Sequence, residues 1–208
     1  DQPCPRTWPG QPASTRTRAF IKIQDGCDNH CTYCIVRTAR GPSRSRPYEQ
    51  VLADVRARLM EGAREVVLSG VNIGAYGRDL AAERSHPTLA TLVESLLDET
   101  DVPRLRLSSL EPWNLDADLL AQWPHPRLCR QLHLPLQSGS DEVLRRMGRR
   151  STVREYRSLV DAIRSRVPDV ALTTDVIAGF PGESEADWQS TCTLLQELGL
   201  ARLHVFRF

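Results

Sequence analysis

Cys27, Cys31 and Cys34 stand at C-x3-C-x2-C within Gly26-Cys27-Asp28-Asn29-His30-Cys31-Thr32-Tyr33-Cys34. Thiolates this close together can share one inorganic centre. Iron–sulfur clusters normally take four. This loop offers three, and Cys4, Cys129 and Cys192 lie far off in the chain. A cubane gripped by three thiolates leaves one iron open to an outside ligand. A radical enzyme needs that arrangement to bind and reductively cleave S-adenosylmethionine.

Other readings of the spacing stay open. Zinc prefers C-x2-C with a second pair or two histidines, and only His30 lies in the loop. A disulfide would leave an odd thiol. An electron-carrier cluster would want a fourth cysteine close by. From a different class comes a non-catalytic, metal-stabilised RNA-binding module.

Composition narrows the setting. The 208 residues carry a formal charge of +1, so the chain as a whole does not present a nucleic-acid surface. Lys22 is the only lysine among many arginines. Six cysteines in a chain this long are not a disulfide scaffold; three clustered thiols fit a metal site in a reducing, cytoplasmic compartment. No apolar run approaches membrane-spanning length, and the first residues lack a signal peptide's apolar region.

The elements that must position the thiols follow from periodicity. Residues 1–17, rich in Pro, Thr, Ser and Arg, read as a linker, and 18–208 as one domain. Strands are expected at 18–24, 65–69, 104–108, 131–136, 170–177 and 203–206. Helices are expected at 48–62, 88–99, 116–123, 140–147, 152–167 and 184–198. Thr152 with Glu155, and Ser184 with Asp187, give the last two helices capping boxes. Such alternation argues a parallel α/β sheet, open or curled into a barrel. The strands alternate apolar and polar residues rather than running apolar throughout. Lys22, Ser69, Arg106, Ser108, His133, Gln137, Thr173, Asp175 and His204 fall on the polar face. A closed barrel fills its centre with apolar side chains. The expected fold is therefore an incomplete parallel (β/α)6 barrel, wider and lined for a large polar ligand.

Ligands in such folds sit at the carboxyl ends of strands. Those ends offer Tyr33 for an adenine ring, and Gly70 with Asn72 for close backbone approach. They also offer Ser108 and Glu111 for a ribose or amino group, Gln137 and Ser138 ahead of a helix N-terminus, and Asp175, Gly179 and Phe180 along a flat ring. Ordinary loop packing, N-capping and tight turns are the competing explanations. Arg40, Arg44, Arg46 and Arg149 belong to basic runs that suit a polyanion rim or a solvated face.

These residues together resemble the radical S-adenosylmethionine methylthiotransferases. The likeness is carried by Gly26 through Cys34, by Arg40-Gly41 and Ser45-Arg46-Pro47, by His133-Leu134-Pro135-Leu136-Gln137-Ser138-Gly139-Ser140, and by Asp175-Val176-Ile177 with Gly179-Phe180-Pro181-Gly182-Glu183. Ser69-Gly70-Val71-Asn72-Ile73-Gly74 and Leu203-His204-Val205-Phe206 look most like the branch acting on threonylcarbamoyladenosine beside the tRNA anticodon. The branches acting on isopentenyladenosine or a ribosomal-protein aspartate look less similar. The resemblance implies that Cys27, Cys31 and Cys34 hold a 4Fe–4S cluster that binds S-adenosylmethionine. It implies tRNA and an electron-donor protein as partners, no membrane, and no particular oligomeric state. It also implies that these residues are a central barrel. A second 4Fe–4S cluster is then expected in a separate N-terminal domain, and RNA binding in a small C-terminal one.

Overall fold

In the computed structural model the described residues are 17–80 and 87–208. The expected linker, and Cys4 with it, lies almost wholly outside them. The elements run β1 (Arg18–Asp25), α1 (Val36–Arg40), β2 (Arg44–Ser45), α2 (Tyr48–Met60), β3 (Glu65–Gly70), α3 (Leu89–Glu99) and β4 (Leu105–Leu107). Then come α4 (Ala117–Leu120), β5 (Gln131–His133), α5 (Asp141–Arg146), α6 (Val153–Arg166), β6 (Ala171–Ala178), α7 (Glu185–Leu198) and β7 (Arg202–Arg207).

Every expected strand is present, and each is joined to the next by a crossover long enough for parallel pairing. β1 pairs β3, and β3 pairs β4, all in parallel. β5, β6 and β7 form a second parallel set. Single pairings of Leu105 with Leu128 and Ser109 with His133 carry the curl from β4 to β5. The six parallel strands thus follow chain order, as in an incomplete (β/α)6 barrel. β2 is an addition, a two-residue antiparallel flank on β1.

The outward strand residues Ile21, Ile23, Val66, Leu68, Leu105, Leu107, Leu132 and Leu172 are buried. They join one core with Val55 of α2, Leu92 and Leu96 of α3, Val160 and Ile163 of α6, and Leu194 of α7. Thr152 and Ser184 accept from the backbone N–H three residues on, and Glu155 and Asp187 reach back, so both expected capping boxes form. Gly199 closes α7 in the left-handed region.

The inner face is largely polar, with Phe20 and Val67 among its apolar members, and part of it is a belt of side chains bonded to one another. Glu65 takes Arg18 at 2.8 Å and Arg106 at 2.7 Å. Arg106 donates to Gln131 Oε1 at 3.0 Å, and Gln131 donates to Thr173 Oγ1 at 3.4 Å. Thr173 lies 2.9 Å from His133 Nδ1, and His133 Nε2 lies 3.1 Å from Asp175. The belt crosses from the first sheet to the second. Burial resists the charge on Glu65, but its arginines outweigh that and hold its carboxyl below the usual range.

Candidate functional site

The cysteine loop leaves the carboxyl end of β1 and is pinned at several points. Gly26 sits at φ +72°, where a Cβ would lie 1.9 Å from the Pro42 carbonyl, so only glycine fits. Cys27 N–H donates to the Gly41 carbonyl at 3.1 Å. At the far side, Thr32 N–H donates to Met147 O and its hydroxyl to Arg146 O, each at 3.0 Å. The loop is therefore stapled to the end of α5, 114 residues away.

Gln24, expected as the last residue of the first strand, is fully buried and organises the base of the site. Its amide donates to Gly26 O at 2.7 Å and to Ser43 Oγ at 2.9 Å, and its oxygen accepts from Asn72 N–H at 2.8 Å. Asn114 holds Asn72 by donating to its side-chain oxygen at 3.0 Å. Asn72 in turn points its amide at Cys27 Sγ, 3.9 Å away. A polar strand residue two positions ahead of a glycine is the available signal for Gln24. Asn114 gave none.

A cavity of about 180 Å³ opens over this base, lined by Cys27, Asn29, Cys31, Tyr33, Cys34, Val36, Arg37, Val71, Glu111 and Gln137. The three thiols are free. Among the described residues they do not converge to within 4.8 Å of one another, as ligands of one zinc ion would. Burial pushes the Cys31 thiol up, against the pull of nearby Arg149. Burial likewise raises the Tyr33 phenol. Tyr33 also packs on an apolar cluster of Val143, Met147, Ile177 and Phe180, which walls one side of the loop.

Of the residues expected at a cofactor, Tyr33, Glu111 and Gln137 share this cavity with the thiols. The others stand outside its lining, and several have local duties. Gly70 is required because a Cβ would meet the Gln24 carbonyl at 2.7 Å, a demand of strand packing rather than of a ligand. Ser138 is fully buried, and its hydroxyl is spent on Thr191 and the Ser140 N–H. Asp175 meets His133 with one oxygen and His204 with the other, so neither is free for a ribose. Gly179, at φ +80°, has open space where a side chain would be, and its N–H donates to Glu183. Phe180 is buried edge-on against Phe208. Asn72 supports the loop, and Ser108 keeps a buried, unbonded hydroxyl.

The expected polyanion rim needs correction. The Arg149 side chain is 1% exposed. It donates to Pro135 O, pairs with Glu111 at 2.8 Å and stacks on Trp113 at 4.5 Å. Burial opposes its charge, but Glu111, Tyr33 and Cys31 outweigh that and raise its pKa. It is an internal strut, unable to reach RNA. Arg46 is also engaged, by Asp54 and the Lys22 carbonyl, each at 2.9 Å. Arg40 and Arg44 stay exposed.

The residues present fit a cluster and a polar cofactor on two counts. The donor set is three cysteine sulfurs facing one cavity. Buried polar atoms without a bonding partner also face this cavity, Asn29 Nδ2 and Gln137 Oε1. Each such atom costs about 1–3 kcal/mol unless a ligand satisfies it.

Comparisons with known proteins agree with this geometry. The family model described as Radical SAM superfamily matches residues 21–195. A curated relative from Thermotoga maritima, "Threonylcarbamoyladenosine tRNA methylthiotransferase MtaB", is 43% identical over 195 residues, 93% of this chain and 44% of that protein. A relative from Deinococcus radiodurans, "tRNA-2-methylthio-N(6)-dimethylallyladenosine synthase", is 41% identical over 197 residues, 94% of this chain and 39% of that protein. The chain spans less than half the length of either. Among solved structures, the radical S-adenosylmethionine methyltransferase TsrM from Kitasatospora setae superposes with a TM-score of 0.72 at 16% identity, over 90% of this chain and 35% of that one. Coproporphyrinogen III oxidase from Escherichia coli gives 0.65 at 15% identity, over 94% of this chain and 46% of that one.

Proposed function

Because this chain belongs to the radical SAM superfamily, we propose that it is the catalytic barrel of a tRNA methylthiotransferase acting on threonylcarbamoyladenosine. The observation that carries the reading is the cavity shared by Cys27, Cys31, Cys34 and the unbonded Gln137 Oε1. Cys27, Cys31 and Cys34 would hold a 4Fe–4S cluster. The chemistry supplied there, with S-adenosylmethionine bound, is one-electron cleavage of a sulfonium C–S bond to a carbon radical.

The chain's own residues bind, orient and exclude water. Gln137 Oε1 offers an acceptor to an ammonium group, and Asn29 Nδ2 offers a donor to a carboxylate or hydroxyl. Tyr33, with Val143, Met147, Ile177 and Phe180 behind it, forms an apolar wall that keeps solvent from a reactive radical. Arg40 and Arg44, exposed just beyond the loop, suit phosphates of a bound tRNA.

The choice of nucleoside rests on the Ser69–Gly74 stretch and on the relative named for threonylcarbamoyladenosine. The relative named for dimethylallyladenosine is nearly as similar, so it supplies the comparison arm. A second cluster, a sulfur source and a one-electron donor protein belong to the proposal for the longer enzyme. The test has two stages. Anaerobic reconstitution of this chain with iron and sulfide should give a brown chromophore perturbed by S-adenosylmethionine, with 5′-deoxyadenosine formed on reduction. The longer enzyme should then convert tRNA carrying threonylcarbamoyladenosine, read by nucleoside mass spectrometry. Zinc uptake without a chromophore would overturn the enzymatic reading; conversion of isopentenyladenosine alone would overturn the substrate.

A further inference from the structure

His133, Asp175 and His204 come from three neighbouring parallel strands, β5, β6 and β7, and meet on the inner face of the barrel. Their ligand-type atoms all lie within 4.8 Å of one another. His133 Nε2 stands 3.1 Å from one Asp175 oxygen and His204 Nδ1 3.1 Å from the other, hydrogen bonds of the metal-free chain that an ion held between the three would replace. Two ligands held at ~2.1 Å from one ion in a tetrahedral or octahedral shell stand about 3.0–3.4 Å apart, so the spacing suits a shared cation. The trio is outside the thiol cavity.

We propose that His133, Asp175 and His204 form a mononuclear site for a divalent first-row transition ion, separate from the cysteine loop. Two imidazoles and one carboxylate favour zinc, iron, manganese or cobalt over calcium or magnesium. The neighbouring side chains support the assignment. Arg106 fixes the Gln131 amide by donating to its oxygen, so the Gln131 nitrogen faces Thr173. Thr173 engages His133 Nδ1 at 2.9 Å and leaves Nε2 aimed at Asp175. Ligating histidines typically carry such a partner on the other ring nitrogen. His204 is half-exposed, which gives an ion a way in. Three protein ligands leave further positions for water or for an oxygen or nitrogen of a molecule in the channel.

This site does not depend on the proposed reaction, and its test avoids that chemistry. A chain with Cys27, Cys31 and Cys34 all changed to Ala is titrated anaerobically with Co²⁺. One equivalent should bind, with weak visible d–d bands and no thiolate charge-transfer band. Asp175→Asn or His204→Ala should weaken binding at least tenfold, and Thr173→Val by about 10-fold, the lower end for an outer-shell change. No cobalt uptake, or uptake indifferent to Asp175→Asn and His204→Ala, would overturn the proposal. Should the triple variant fail to fold, pulsed EPR of the intact chain with Mn²⁺, which thiols neither reduce nor favour as ligands, decides: imidazole nitrogens lost in His204→Ala support the site, and an unchanged spectrum sinks it.

Discussion

The two ends of the barrel handle polar groups in opposite ways. At the amino ends of the strands, Glu65 binds Arg18, Arg104 and Arg106, and Arg106 passes on to Gln131. At the carboxyl ends, buried side-chain atoms go without partners. Those of Asn29, Ser108, Gln137, Arg146, Arg149 and Glu183 all lie in loops that follow strands, or in or just after α5. Among the described residues none belongs to the lower belt. The same chain can evidently satisfy its polar groups, so Asn29 and Gln137, which line the thiol cavity, are the two whose bonding the proposed ligand would complete. Changes at the amino end should then cost stability, and changes at the carboxyl end should cost loading.

The largest expected effect lies at the thiols. Cys34 is exposed, so Cys34→Ala should move the stability of the metal-free chain by no more than about 0.5 kcal/mol. Reconstitution should nevertheless yield no S-adenosylmethionine cleavage. Deoxyadenosine formation by Cys34→Ala would break the assignment at its root.

Arg149 should behave as an exception that sharpens the contrast. It stands at the carboxyl end, yet it props Pro135, Glu111 and Trp113. Arg149→Ala strands Glu111 beside a cavity, and losing one partner of a buried pair costs about 3–5 kcal/mol. Urea denaturation of Arg149→Ala, Glu111→Gln and the double variant should show strong coupling. Additive losses would mean that the pair contributes little.

Glu65 tests the other end. Glu65→Gln should cost about 1.5–3 kcal/mol, the range for charge-assisted hydrogen bonds, while cluster loading stays intact. Because the folded pKa of Glu65 lies below the ordinary value of 4.5, its contribution is present above that pH. It fades as pH falls through the lower folded value. Denaturation midpoints across that window should slope in the parent chain and flatten in Glu65→Gln. Parallel slopes would assign the acid sensitivity elsewhere.

How far these features could be read in the sequence follows from the range of the forces that make them. Leu105 and Leu107 alternating with Arg104 and Arg106 announce a strand with one wet face, because side chains alternate along the backbone itself. Thr152 with Glu155 is equally local. The cysteine loop is readable because its ligands are close in sequence. β2 is not, since Arg44 and Ser45 have no pattern and pair only because β1 offers an edge, with Arg46 N–H meeting Ile23 O at 2.8 Å. Arg149 misled for the same reason. Its neighbours Arg145, Arg146 and Arg150 suggest a solvated run, and its partner Glu111 is 38 positions away. Gln24 was overlooked because burial of a polar strand residue depends on Ser43 and Asn72, which the local sequence does not bring near.

The smallest expected effect bears most directly on why the carboxyl end is built as it is. Gln137 adopts φ +74°, a region L residues avoid, and its amide oxygen is buried without a partner. Its backbone is held there by β6, donating to Asp175 O at 2.8 Å and accepting from Ile177 N–H at 2.9 Å. Glycine would relieve the conformation and remove the orphaned oxygen. Against its larger unfolded-state entropy, Gln137→Gly should still stabilise the metal-free chain by about 0.5–1 kcal/mol. That corresponds to a rise of roughly 1–4 °C in the thermal midpoint for a domain of this size. The same variant should bind S-adenosylmethionine more weakly once reconstituted, because the acceptor is gone. A gain in stability together with a loss of affinity would show strain held for function. If the variant is instead less stable, the Gln137 side chain is satisfied in solution and the contrast between the two ends weakens.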